Sequence, residues 1–407
     1  MRFVSPLAVE IEILKAFIVY NFVTLKEKGW AIVIQGVTLI LLAAGSSSRF
    51  DKRIKKQWLR IADIPLWQAV TNRFAKQHQF NKIIITAHAD DISYMKRFGV
   101  YEVVEGGADR QASIANALEH VNSEFVLISD VARACVSDVL MSRLLSCDVT
   151  NIDCVVPFLP VSDTVILGDK QIDRSEVKRI QTPQLSRTSL LKAHIYDTIR
   201  YTDESTLIQS NGGLVHYVQG ESDAEKITFA SDLQKLSCLD APVTHQFIGN
   251  GFDVHPFVNG KIMMLGGVEI DVPYGFKAHS DGDVAIHALI DALLGAAGIG
   301  DIGELFPDTD SAYEGIDSKI LLKRCVTLIH RFGFEIINVD ITIMAQAPRV
   351  SKYKQQMSSV MAEILEIAPV HVNVKATTTE KLGFVGRKEG VAVNATANLK
   401  YYNWSVI

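Results

Sequence analysis

Two segments in the second half of the chain constrain its fold most, because they place ionisable side chains inside apolar sequence. The first reads G-N-G-F-D-V-H from residue 249, and the second reads A-H-S-D-G-D-V-A-I-H from residue 278. If Gly251–His255 forms a strand, Asp253 and His255 project from the same face. A helix that starts at about Asp281 brings His287 toward the same point. Two histidines and one carboxylate form a ligand set for catalytic zinc, with one tetrahedral position left for substrate.

A structural explanation of these three residues competes with the metal site. The pattern D-x-H is common by chance, and a histidine on an apolar helix is more often a core residue than a ligand. The density of polar groups nearby favours the metal, because a core does not collect ionisable groups unless something offsets their desolvation. These groups are His279, Ser280, Asp281, Asp283, Asp291 and Asp301.

The length and charge of the chain limit the classes of protein it can represent. Its 407 residues suffice for two domains, and its formal net charge of −5 argues against nucleic acid or an anionic membrane as the main partner. The five cysteines include no C-x-x-C pair, which predicts a reduced, cytoplasmic protein without thiolate-bound zinc. The apolar run over residues 16–23 is too short to span a bilayer. We interpret residues 1–35 as an extension and not as a signal peptide.

The first half begins with a strand and a loop that suit phosphate binding. Val37–Leu42 is a continuous apolar run, typical of a buried strand in a parallel sheet. It leads into A-A-G-S-S-S-R, whose backbone N–H groups, hydroxyls and Arg49 can meet phosphate oxygens. Gly and Ser also form ordinary turns, but Lys55 and Lys56 follow closely and favour the phosphate site.

The next residues alternate between strand-like and helix-like runs, which is the βαβ pattern of a doubly wound sheet. We predict strands over 82–86, 101–104 and 125–130. Ligands of such sheets bind beyond the carboxyl ends of the strands, where polar clusters occur at 106–113, 130–133 and 162–164. Asp130 at such an end suits a magnesium ion, although a helix N-cap explains it equally well.

The motifs of the first half resemble one enzyme family. A-A-G-S-S-S-R-F, K-K-Q-W, G-G-A-D-R-Q-A-S, S-D-V-A-R, S-D-T, T-P-Q and D-E-S are similar to the 2-C-methyl-D-erythritol 4-phosphate cytidylyltransferases, over roughly 37–233. The resemblance implies that Arg49, Lys56 and Lys226 stabilise the pentavalent phosphorus and that Asp130 holds Mg²⁺ or Mn²⁺. It also implies two binding sets: Ala43, Ala44, Gly45 and Ser113 for CTP, and Arg133, Thr164, Arg174 and Thr182 for methylerythritol phosphate.

Two motifs depart from that family's pattern. Ser47 stands where the family usually has a second glycine, and residues 129–134 read S-D-V-A-R-A, ending in Ala134, where the family has H-D-A-A-R-P. Neither change removes a charged group. After this domain, residues 235–246 have no long apolar pattern, so we predict a linker there.

The second half resembles 2-C-methyl-D-erythritol 2,4-cyclodiphosphate synthases from Phe247 to about Lys400. The motifs are G-F-D-V-H, A-H-S-D-G-D-V-A-I-H-A-L, G-D-I-G-E-L-F-P-D-T-D, A-Q-A-P and K-A-T-T-T-E-K-L-G-F-V-G-R-K-E-G. The resemblance implies Zn²⁺ on Asp253, His255 and His287, and a second divalent ion, Mg²⁺ or Mn²⁺, on Glu380.

The same resemblance assigns the remaining residues of the second half. Ala345, Arg349, Thr377 and the catalytic Thr378 would hold the cytidine diphosphate end, Asp301 and Gly303 the erythritol, and His279 and Ser280 the attacking phosphate. Read without the family, Thr377–Glu380 offers hydroxyl donors beside a hard-metal ligand, although a threonine run is more often a half-exposed strand. Phe384 and Arg387 are further candidates for substrate binding, and Phe384 equally fits a core position.

Together these observations predict a bifunctional enzyme of isoprenoid precursor synthesis. We expect an α/β doubly wound (Rossmann-like) nucleotidyltransferase domain over 36–234 and an α+β cyclodiphosphate synthase domain over 247–407. The phosphorylation between the two reactions requires a separate kinase, since the chain has no G-x-x-x-x-G-K-[ST] loop. The family implies a homotrimer or a larger homo-oligomer. Two alternatives remain open for the first half: it acts on another polyol phosphate, or it is a non-catalytic scaffold.

Overall fold

Contacts divide the chain into two units, which are described separately. The computed structural model describes residue 34 and residues 36–50, 52–99, 101–307 and 309–406. The first unit holds the described residues up to Ser46 with Trp67–Thr228 and Leu236–Leu239, and the second holds the described residues of 47–66, 229–235 and 240–407. The predicted extension over 1–35 lies outside the described residues except at residue 34. Within those ranges, no helix has the length and apolar character needed to cross a membrane.

Strands are numbered along the chain. They are β1 (Val37–Leu42), β2 (Arg60–Ile61), β3 (Ile64–Pro65), β4 (Lys82–Ala87), β5 (Glu102–Glu105), β6 (Phe125–Asp130), β7 (Cys154–Pro160), β8 (Val165–Leu167), β9 (Lys170–Ile172), β10 (Lys178–Ile180), β11 (Gln184–Arg187), β12 (Val215–Gln219), β13 (Gln246–Asn259), β14 (Met263–Leu265), β15 (Val268–Ile270), β16 (Tyr274–Phe276), β17 (Phe334–Met344), β18 (Val372–Thr377) and β19 (Gly390–Tyr401).

Helices are numbered in the same way. They are α1 (Leu66–Gln77), α2 (Ala89–Met95), α3 (Arg110–Leu118), α4 (Asp138–Leu145), α5 (Thr188–His194), α6 (Glu204–Ser210), α7 (Val284–Ala297), α8 (Ile302–Leu305), α9 (Ser318–Arg331), α10 (Lys354–Leu365) and α11 (Gly383–Gly386).

An 8-stranded sheet forms the first unit, with the order β10-β7-β11-β6-β1-β4-β5 and β12 paired to β7. The predicted strands are confirmed: β1 and β6 have the predicted bounds, β4 is one residue longer at its end, and β5 is shifted by one residue along the chain. β1 runs parallel to both β4 and β6, and its apolar residues are buried on both faces. The sheet is nevertheless mixed, because β11 pairs antiparallel with β6 and β7.

A 5-stranded sheet with the order β16-β13-β19-β17-β18 forms the second unit. Helix α7 lies directly on β13: a Cβ added at Gly249 would fall 2.0 Å from the Ala292 carbonyl oxygen, and one at Gly251 would fall 2.0 Å from that of Ala288. Only glycine permits this approach. The predicted strand therefore lies within β13, and the predicted helix begins at Val284.

Residues 47–66 belong to the second unit by their contacts, although they follow β1 in the chain. Trp58 and Arg60 are buried there. The Arg60 guanidinium donates a hydrogen bond to the Phe332 carbonyl (3.3 Å) and lies 4.8 Å from the ring centroid of Tyr401. Trp404 Nε1 donates to the Arg60 carbonyl (2.6 Å). The segment that carries Arg49 and Lys56 is therefore packed against the second sheet's residues.

The cysteines differ from the sequence expectation that all are reduced. A disulfide joins Cys135 to Cys238, which are separated by 103 residues in the chain. Such a pairing leaves no local signal like C-x-x-C. Cys147, Cys154 and Cys325 are free thiols, and burial raises the pKa of each.

Candidate active sites

Strand β13 and helix α7 bring together the three predicted zinc ligands. Asp253 and His255 project from β13, and His287 projects from the first turn of α7. Asp253 Oδ2 lies 3.2 Å from His255 Nε2 and 3.4 Å from His287 Nδ1. One ligand atom from each of the three residues lies within 4.8 Å of the other two. The glycine contacts between strand and helix are what allow this convergence.

Both imidazoles are oriented by hydrogen bonds at the nitrogen opposite Asp253. His255 Nδ1 lies 2.8 Å from the Gly282 carbonyl oxygen, so this nitrogen carries the proton and Nε2 is left to act as a ligand. His287 Nε2 lies 3.1 Å from Ser280 Oγ and 3.0 Å from Ser318 Oγ. Such partners on the far nitrogen are typical of metal-bound histidine. The three side chains therefore fit a divalent ion.

The protonation of this group follows from its mutual contacts. Burial alone would raise the pKa of the Asp253 carboxyl, but hydrogen bonds from His255 and His287 outweigh it and lower the pKa well below its usual range. Burial alone would lower the pKa of His255, but the Asp253 carboxylate outweighs it and raises that pKa. Asp253 is therefore an anion, ready to ligate a cation, throughout the physiological pH range.

Two of the crowded aspartates have structural roles. Asp283 is fully buried and accepts hydrogen bonds from the N–H groups of Gly266, Gly267, Ala285 and Ile286, so it caps α7. Asp281 accepts a hydrogen bond from the Ser318 hydroxyl. The polar density that favoured a metal in the sequence is thus partly explained by capping and orientation.

A cavity of about 290 Å³ opens beside the three ligands. Three of the residues that line it, His279, Ser280 and Gly303, are ones for which the sequence predicted substrate binding. Asp301 instead caps α8, accepting from the Glu304 N–H (2.9 Å). The sequence analysis missed Phe306 and Tyr313 in the lining, and it assigned no role to Asp291, which also lines the cavity. Asp291 accepts from the Ile302 N–H (2.8 Å), and burial raises its pKa.

The predicted nucleotide end forms a second group at the ends of two parallel strands. The Ala345 N–H, after β17, donates to the Thr377 carbonyl, at the end of β18 (3.0 Å). Thr378 Oγ1 donates to Glu380 Oε1 (2.9 Å). Glu380 has φ 50°, in the left-handed region, so the loop turns sharply at this carboxylate. None of the residues that line the cavity belongs to this group.

The other candidates in this half lie at the surface. Arg349 is exposed, and Phe384 is 37% exposed at the start of α11. The Arg387 guanidinium pairs with Glu389 through two hydrogen bonds of 2.8 and 3.1 Å. These positions remain candidates.

In the first unit, the predicted CTP-binding loops meet at the end of the parallel strands. A Cβ added at Gly106 would lie 2.3 Å from the Ala44 Cβ, so this glycine allows the two loops to touch. Ala43 is buried and donates its N–H to the Thr86 carbonyl (3.0 Å), whereas Gly45 is exposed. Ser113 Oγ accepts from the Gly107 N–H (3.0 Å), which fixes the glycine loop.

Asp130 ends β6 within a cluster of charges. Its Oδ2 lies 3.0 Å from Lys226 Nζ, and its Oδ1 lies 3.9 Å from Arg110 Nε. Burial alone would raise the pKa of Asp130, but attraction to Lys226 and Arg110 outweighs it and lowers the pKa. Asp130 is not the N-cap of the next helix, because Ser137 caps α4. A carboxylate held ionised in this way fits a hard divalent cation.

The residues predicted for methylerythritol phosphate are divided between two places. Thr182 is buried, with Oγ1 3.4 Å from Ser129 Oγ beside Asp130, and Arg133 donates to the Ala224 carbonyl (2.6 Å). Thr164 and Arg174 instead flank the β8–β9 hairpin, where both are exposed and Arg174 donates to the Ser162 carbonyl.

Ser47 explains one departure from the family pattern. It has φ 61°, in the left-handed region that favours the glycine usually found there. Its hydroxyl accepts from the Lys56 N–H (3.0 Å) and donates to Gln57 Oε1 (3.3 Å). The serine therefore ties the loop to the backbone of Lys56. The next residues, Ser48–Phe50, form a single turn of 3-10 helix in which Arg49 is exposed.

The fold and these sites define a class of protein: an enzyme of metal-assisted phosphate chemistry with two separate centres in one chain. The first combines the predicted phosphate-binding loops with a carboxylate beside a lysine and an arginine. The second combines a two-histidine, one-carboxylate ligand set with a substrate-sized cavity.

Comparisons with known proteins specify that class. A model of the 2-C-methyl-D-erythritol 4-phosphate cytidylyltransferase family matches residues 37–238, and a model of the YgbB family matches 246–400. The curated bifunctional enzyme IspD/IspF of Sulfurimonas denitrificans is 55% identical over 95% of this chain and 100% of that protein. Its counterpart in Aliarcobacter butzleri is 52% identical over 90% and 98%. The solved structure of the bifunctional IspDF from Campylobacter jejuni has a TM-score of 0.85 and 47% identity, covering 91% and 100%.

This chain belongs to the bifunctional IspD/IspF family. It is an enzyme of isoprenoid biosynthesis with both activities predicted from the sequence. One transfers CMP from CTP to 2-C-methyl-D-erythritol 4-phosphate and releases pyrophosphate. The other cyclises 4-diphosphocytidyl-2-C-methyl-D-erythritol 2-phosphate to the 2,4-cyclodiphosphate and releases CMP. The predicted α/β nucleotidyltransferase and α+β synthase folds are confirmed.

Proposed function

We propose that the two activities use the residues predicted from the sequence, each set serving one reaction. The observation that carries this proposal is the convergence of Asp253, His255 and His287 beside a cavity lined by His279 and Ser280. We assign Zn²⁺ to these three ligands and Mg²⁺ or Mn²⁺ to Asp130 and to Glu380. The zinc assignment is supported by the donor set, since two imidazoles and a carboxylate are typical of catalytic zinc.

In the first reaction, a phosphate oxygen of methylerythritol phosphate attacks the α-phosphorus of CTP, and the bond to the pyrophosphate oxygen breaks. Ala43–Gly45 and Ser113 bind the nucleotide. Arg49, Lys56 and Lys226 balance the negative charge that develops on the phosphoryl oxygens and on leaving pyrophosphate. Arg133, Thr164, Arg174 and Thr182 bind the acceptor. Asp130 holds the divalent ion, which when bound supplies further charge neutralisation.

In the second reaction, the 2-phosphate attacks the β-phosphorus of the same molecule, and the bond to CMP breaks. His279 and Ser280 hold the attacking phosphate, and Asp301 and Gly303 bind the erythritol. The cytidine diphosphate end is held by Ala345, Arg349, Thr377 and Thr378. Phe384 and Arg387, which follow in the chain, also bind the substrate. The attack is intramolecular because both phosphates belong to one substrate molecule, so these residues contribute by aligning the reacting atoms. No general base is needed, since the attacking phosphate is already an anion.

We propose that the synthase site is completed by a second copy of the chain in a homotrimer or a larger assembly. Two features support this. The nucleotide group around Thr378 and Glu380 does not line the cavity beside the metal ligands. In addition, β13 exposes large apolar side chains away from α7, with Ile248 71% and Phe252 57% exposed. Exposed apolar surface of this kind is typical of an interface.

Three further assignments accompany this function. A separate kinase phosphorylates the cytidyl intermediate, because the sequence has no P-loop. The enzyme works in the cytoplasm, which the supply of CTP and phosphorylated intermediates favours. The domain boundary lies within 235–246, a proposal supported by family matches that end at residue 238 and begin again at residue 246.

The experiment that tests the proposal separates the two reactions by mutation. Pyrophosphate release is measured with CTP and Mg²⁺, with and without methylerythritol phosphate, and CMP release is measured with the synthase substrate. In His287→Ala we expect CMP release to fall by more than about 100-fold. Mutating a residue that only hydrogen-bonds to a metal ligand typically lowers activity by about 10- to 100-fold, and this variant removes a proposed ligand itself. Pyrophosphate release should stay near wild type.

His330→Ala is the matched control, because His330 is a half-buried histidine of the same unit whose Nδ1 contacts the Phe334 carbonyl outside the cavity. It should leave CMP release near wild type. If both activities fell together in folded His287→Ala protein, two separate sites would be refuted. If the wild-type chain released no pyrophosphate with methylerythritol phosphate while it still turned over the synthase substrate, the first half would act on another polyol phosphate or serve as a scaffold.

A further inference from the structure

An arginine that the mechanism does not use lies between two carboxylates in the first unit. Arg110 donates to both carboxylate oxygens of Glu204, through Nη1 to Oε1 and through Nη2 to Oε2 at 3.2 Å. Its Nε faces Asp130 Oδ1 at 3.9 Å. That separation exceeds a hydrogen bond, so Arg110 is bonded to Glu204 and only attracts Asp130.

Glu204 is placed to be a permanent partner for this arginine. Its side chain is 1% exposed, whereas that of Arg110 is 24% exposed. The preceding Asp203 caps α6, which fixes Glu204 in the first turn of the helix. A buried carboxylate without a charged partner is costly, so Arg110 cannot leave Glu204 without a large penalty. The two-bond geometry also fixes the plane of the guanidinium.

The two oxygens of Asp130 therefore have different surroundings. Oδ2 accepts a hydrogen bond from Lys226 Nζ at 3.0 Å. Oδ1 faces Arg110 without a hydrogen bond from it. If the guanidinium moved toward Asp130, it would form an ion pair with Oδ1 and compete with any cation that this oxygen binds.

We propose that Glu204 is a positioning residue for cytidylyl transfer: it holds Arg110 away from Asp130 Oδ1 and so keeps that oxygen available for a divalent cation. This inference rests on the proposed role of Asp130. Arg110 still contributes positive charge close to the reacting phosphates while its hydrogen bonds are used elsewhere. In Glu204→Gln the side chain keeps its size but loses its charge, and Asp130 becomes the strongest attraction for Arg110.

The test compares metal binding in four proteins: wild type, Glu204→Gln, Asp130→Asn and the control Glu124→Gln. Glu124 is suitable because its carboxylate also pairs with an arginine of the first unit, Arg187, at 2.7 Å. Mn²⁺ binding is followed by electron paramagnetic resonance in the presence of CTP, and the ion lost in Asp130→Asn defines the relevant site. The Mg²⁺ concentration for half-maximal pyrophosphate release is measured alongside. Thermal unfolding reports whether each variant is folded, and CMP release is the control activity of the second unit.

We expect Glu204→Gln to lower the affinity of the Asp130-dependent site for Mn²⁺ by on the order of 10-fold, as mutations of residues that support metal ligands typically do. The half-maximal Mg²⁺ concentration should rise in proportion, while kcat at saturating Mg²⁺ recovers toward wild type. A purely structural role would lower kcat at every Mg²⁺ concentration and leave Mn²⁺ affinity unchanged, and that result would overturn the proposal. Glu124→Gln should change neither quantity.

Two other results separate this inference from the assignment beneath it. If Asp130→Asn bound as much Mn²⁺ as wild type, the metal role of Asp130 would fail and the inference with it. If Asp130→Asn lost the ion while Glu204→Gln kept it fully, only the inference would fail. Should Glu204→Gln not fold, Arg110→Lys replaces it: an ammonium that stays on Glu204 leaves Mn²⁺ affinity unchanged, and loss of the ion in that variant refutes the proposal.

Discussion

Asp130 is buried and Asp253 is half-buried, and both carboxylates have lowered pKa values, but different groups lower them. Asp130 is stabilised by a lysine and an arginine, Lys226 and Arg110. Asp253 is stabilised by two imidazoles, His255 and His287, and an imidazole binds a metal in its neutral form.

The difference shows how far each site is organised before any ion binds. At Asp130 the protein supplies fixed positive charge, so part of the electrostatic stabilisation of phosphates is built into the chain. At Asp253 the protein supplies two imidazoles and no lysine or arginine, so under the proposed assignment the lasting positive charge would come with the ion. Removing a cationic side chain should therefore lower pyrophosphate release at the first site most. At the second site, disturbing the orientation of an imidazole should lower zinc affinity and CMP release.

Lys226→Gln tests the first half of this comparison and has the largest expected effect. The variant removes the cation that contacts Asp130 Oδ2 at 3.0 Å. Because fixed charge at a phosphoryl centre typically contributes a factor of about 100 to 1,000, we expect pyrophosphate release to fall by that amount. CMP release should not change. Steady-state assays of both products from one preparation give the comparison directly.

Lys82→Gln is the control for that variant. Lys82 also pairs with a carboxylate of the first unit, Glu102, at 2.6 Å, but it lies on β4 outside the Asp130 cluster. A loss of pyrophosphate release in Lys82→Gln equal to that in Lys226→Gln would mean that any ion pair of the sheet matters, and the fixed-charge explanation would be abandoned.

Ser318→Ala tests the second half of the comparison. Ser318 is fully buried, and its hydroxyl donates to Asp281. Its oxygen is then left to accept from His287 Nε2 at 3.0 Å, which turns Nδ1 toward Asp253. Without it, His287 keeps only Ser280. We expect zinc affinity, measured by competition with a chelator, to fall about 10-fold, and CMP release at limiting zinc to fall with it.

Ser280→Ala is the matched variant, because Ser280 Oγ contacts the same nitrogen at 3.1 Å but also lines the cavity. It should raise the KM for the synthase substrate more than it weakens zinc. If the two serine variants weakened zinc equally and Ser280→Ala left KM unchanged, the separate roles given to these hydroxyls would be wrong.

The sequence predicted the local parts of this molecule better than its long-range parts. β1, β6 and the grouping of Asp253, His255 and His287 follow from apolar runs and from strand and helix periodicity. Ser318 lies 31 residues from His287, and Arg110 lies 94 residues from Glu204, so no periodicity links them. Their pairing depends on which elements meet in three dimensions.

Other features escaped prediction for related physical reasons. The antiparallel β11 could not be distinguished from a parallel strand, because both are short buried runs. Trp58 and Arg60 gave no indication that residues 47–66 pack in the second unit, since burial does not specify the partner. Asp283 was counted toward a metal site because a cap and a ligand look alike until its four N–H donors are seen.

A second comparison concerns the loops, since each half has a non-glycine residue in the left-handed region. Glu380 in the second half has φ 50° and accepts from Thr378 Oγ1, whereas Ser47 has φ 61° and bonds through its own hydroxyl to Lys56 N and Gln57. At Ser47 the cost of the backbone conformation and the gain from the hydroxyl can be separated by mutation.

Ser47→Ala and Ser47→Gly have the smallest expected effects. Alanine keeps the left-handed cost and loses both hydrogen bonds, so we expect the free energy of unfolding to fall by about 1 kcal/mol. Glycine loses the same hydrogen bonds, but it is also relieved of the left-handed backbone cost of about 1–2 kcal/mol. The free energy of unfolding of Ser47→Gly should therefore stay close to that of wild type. Thermal unfolding measures the difference. Pyrophosphate release should fall to a similar extent in both variants, because both lose the hydroxyl that holds the backbone of Lys56. Equal losses of unfolding free energy in the two variants would mean that the hydroxyl alone matters and that the backbone at Ser47 carries no strain.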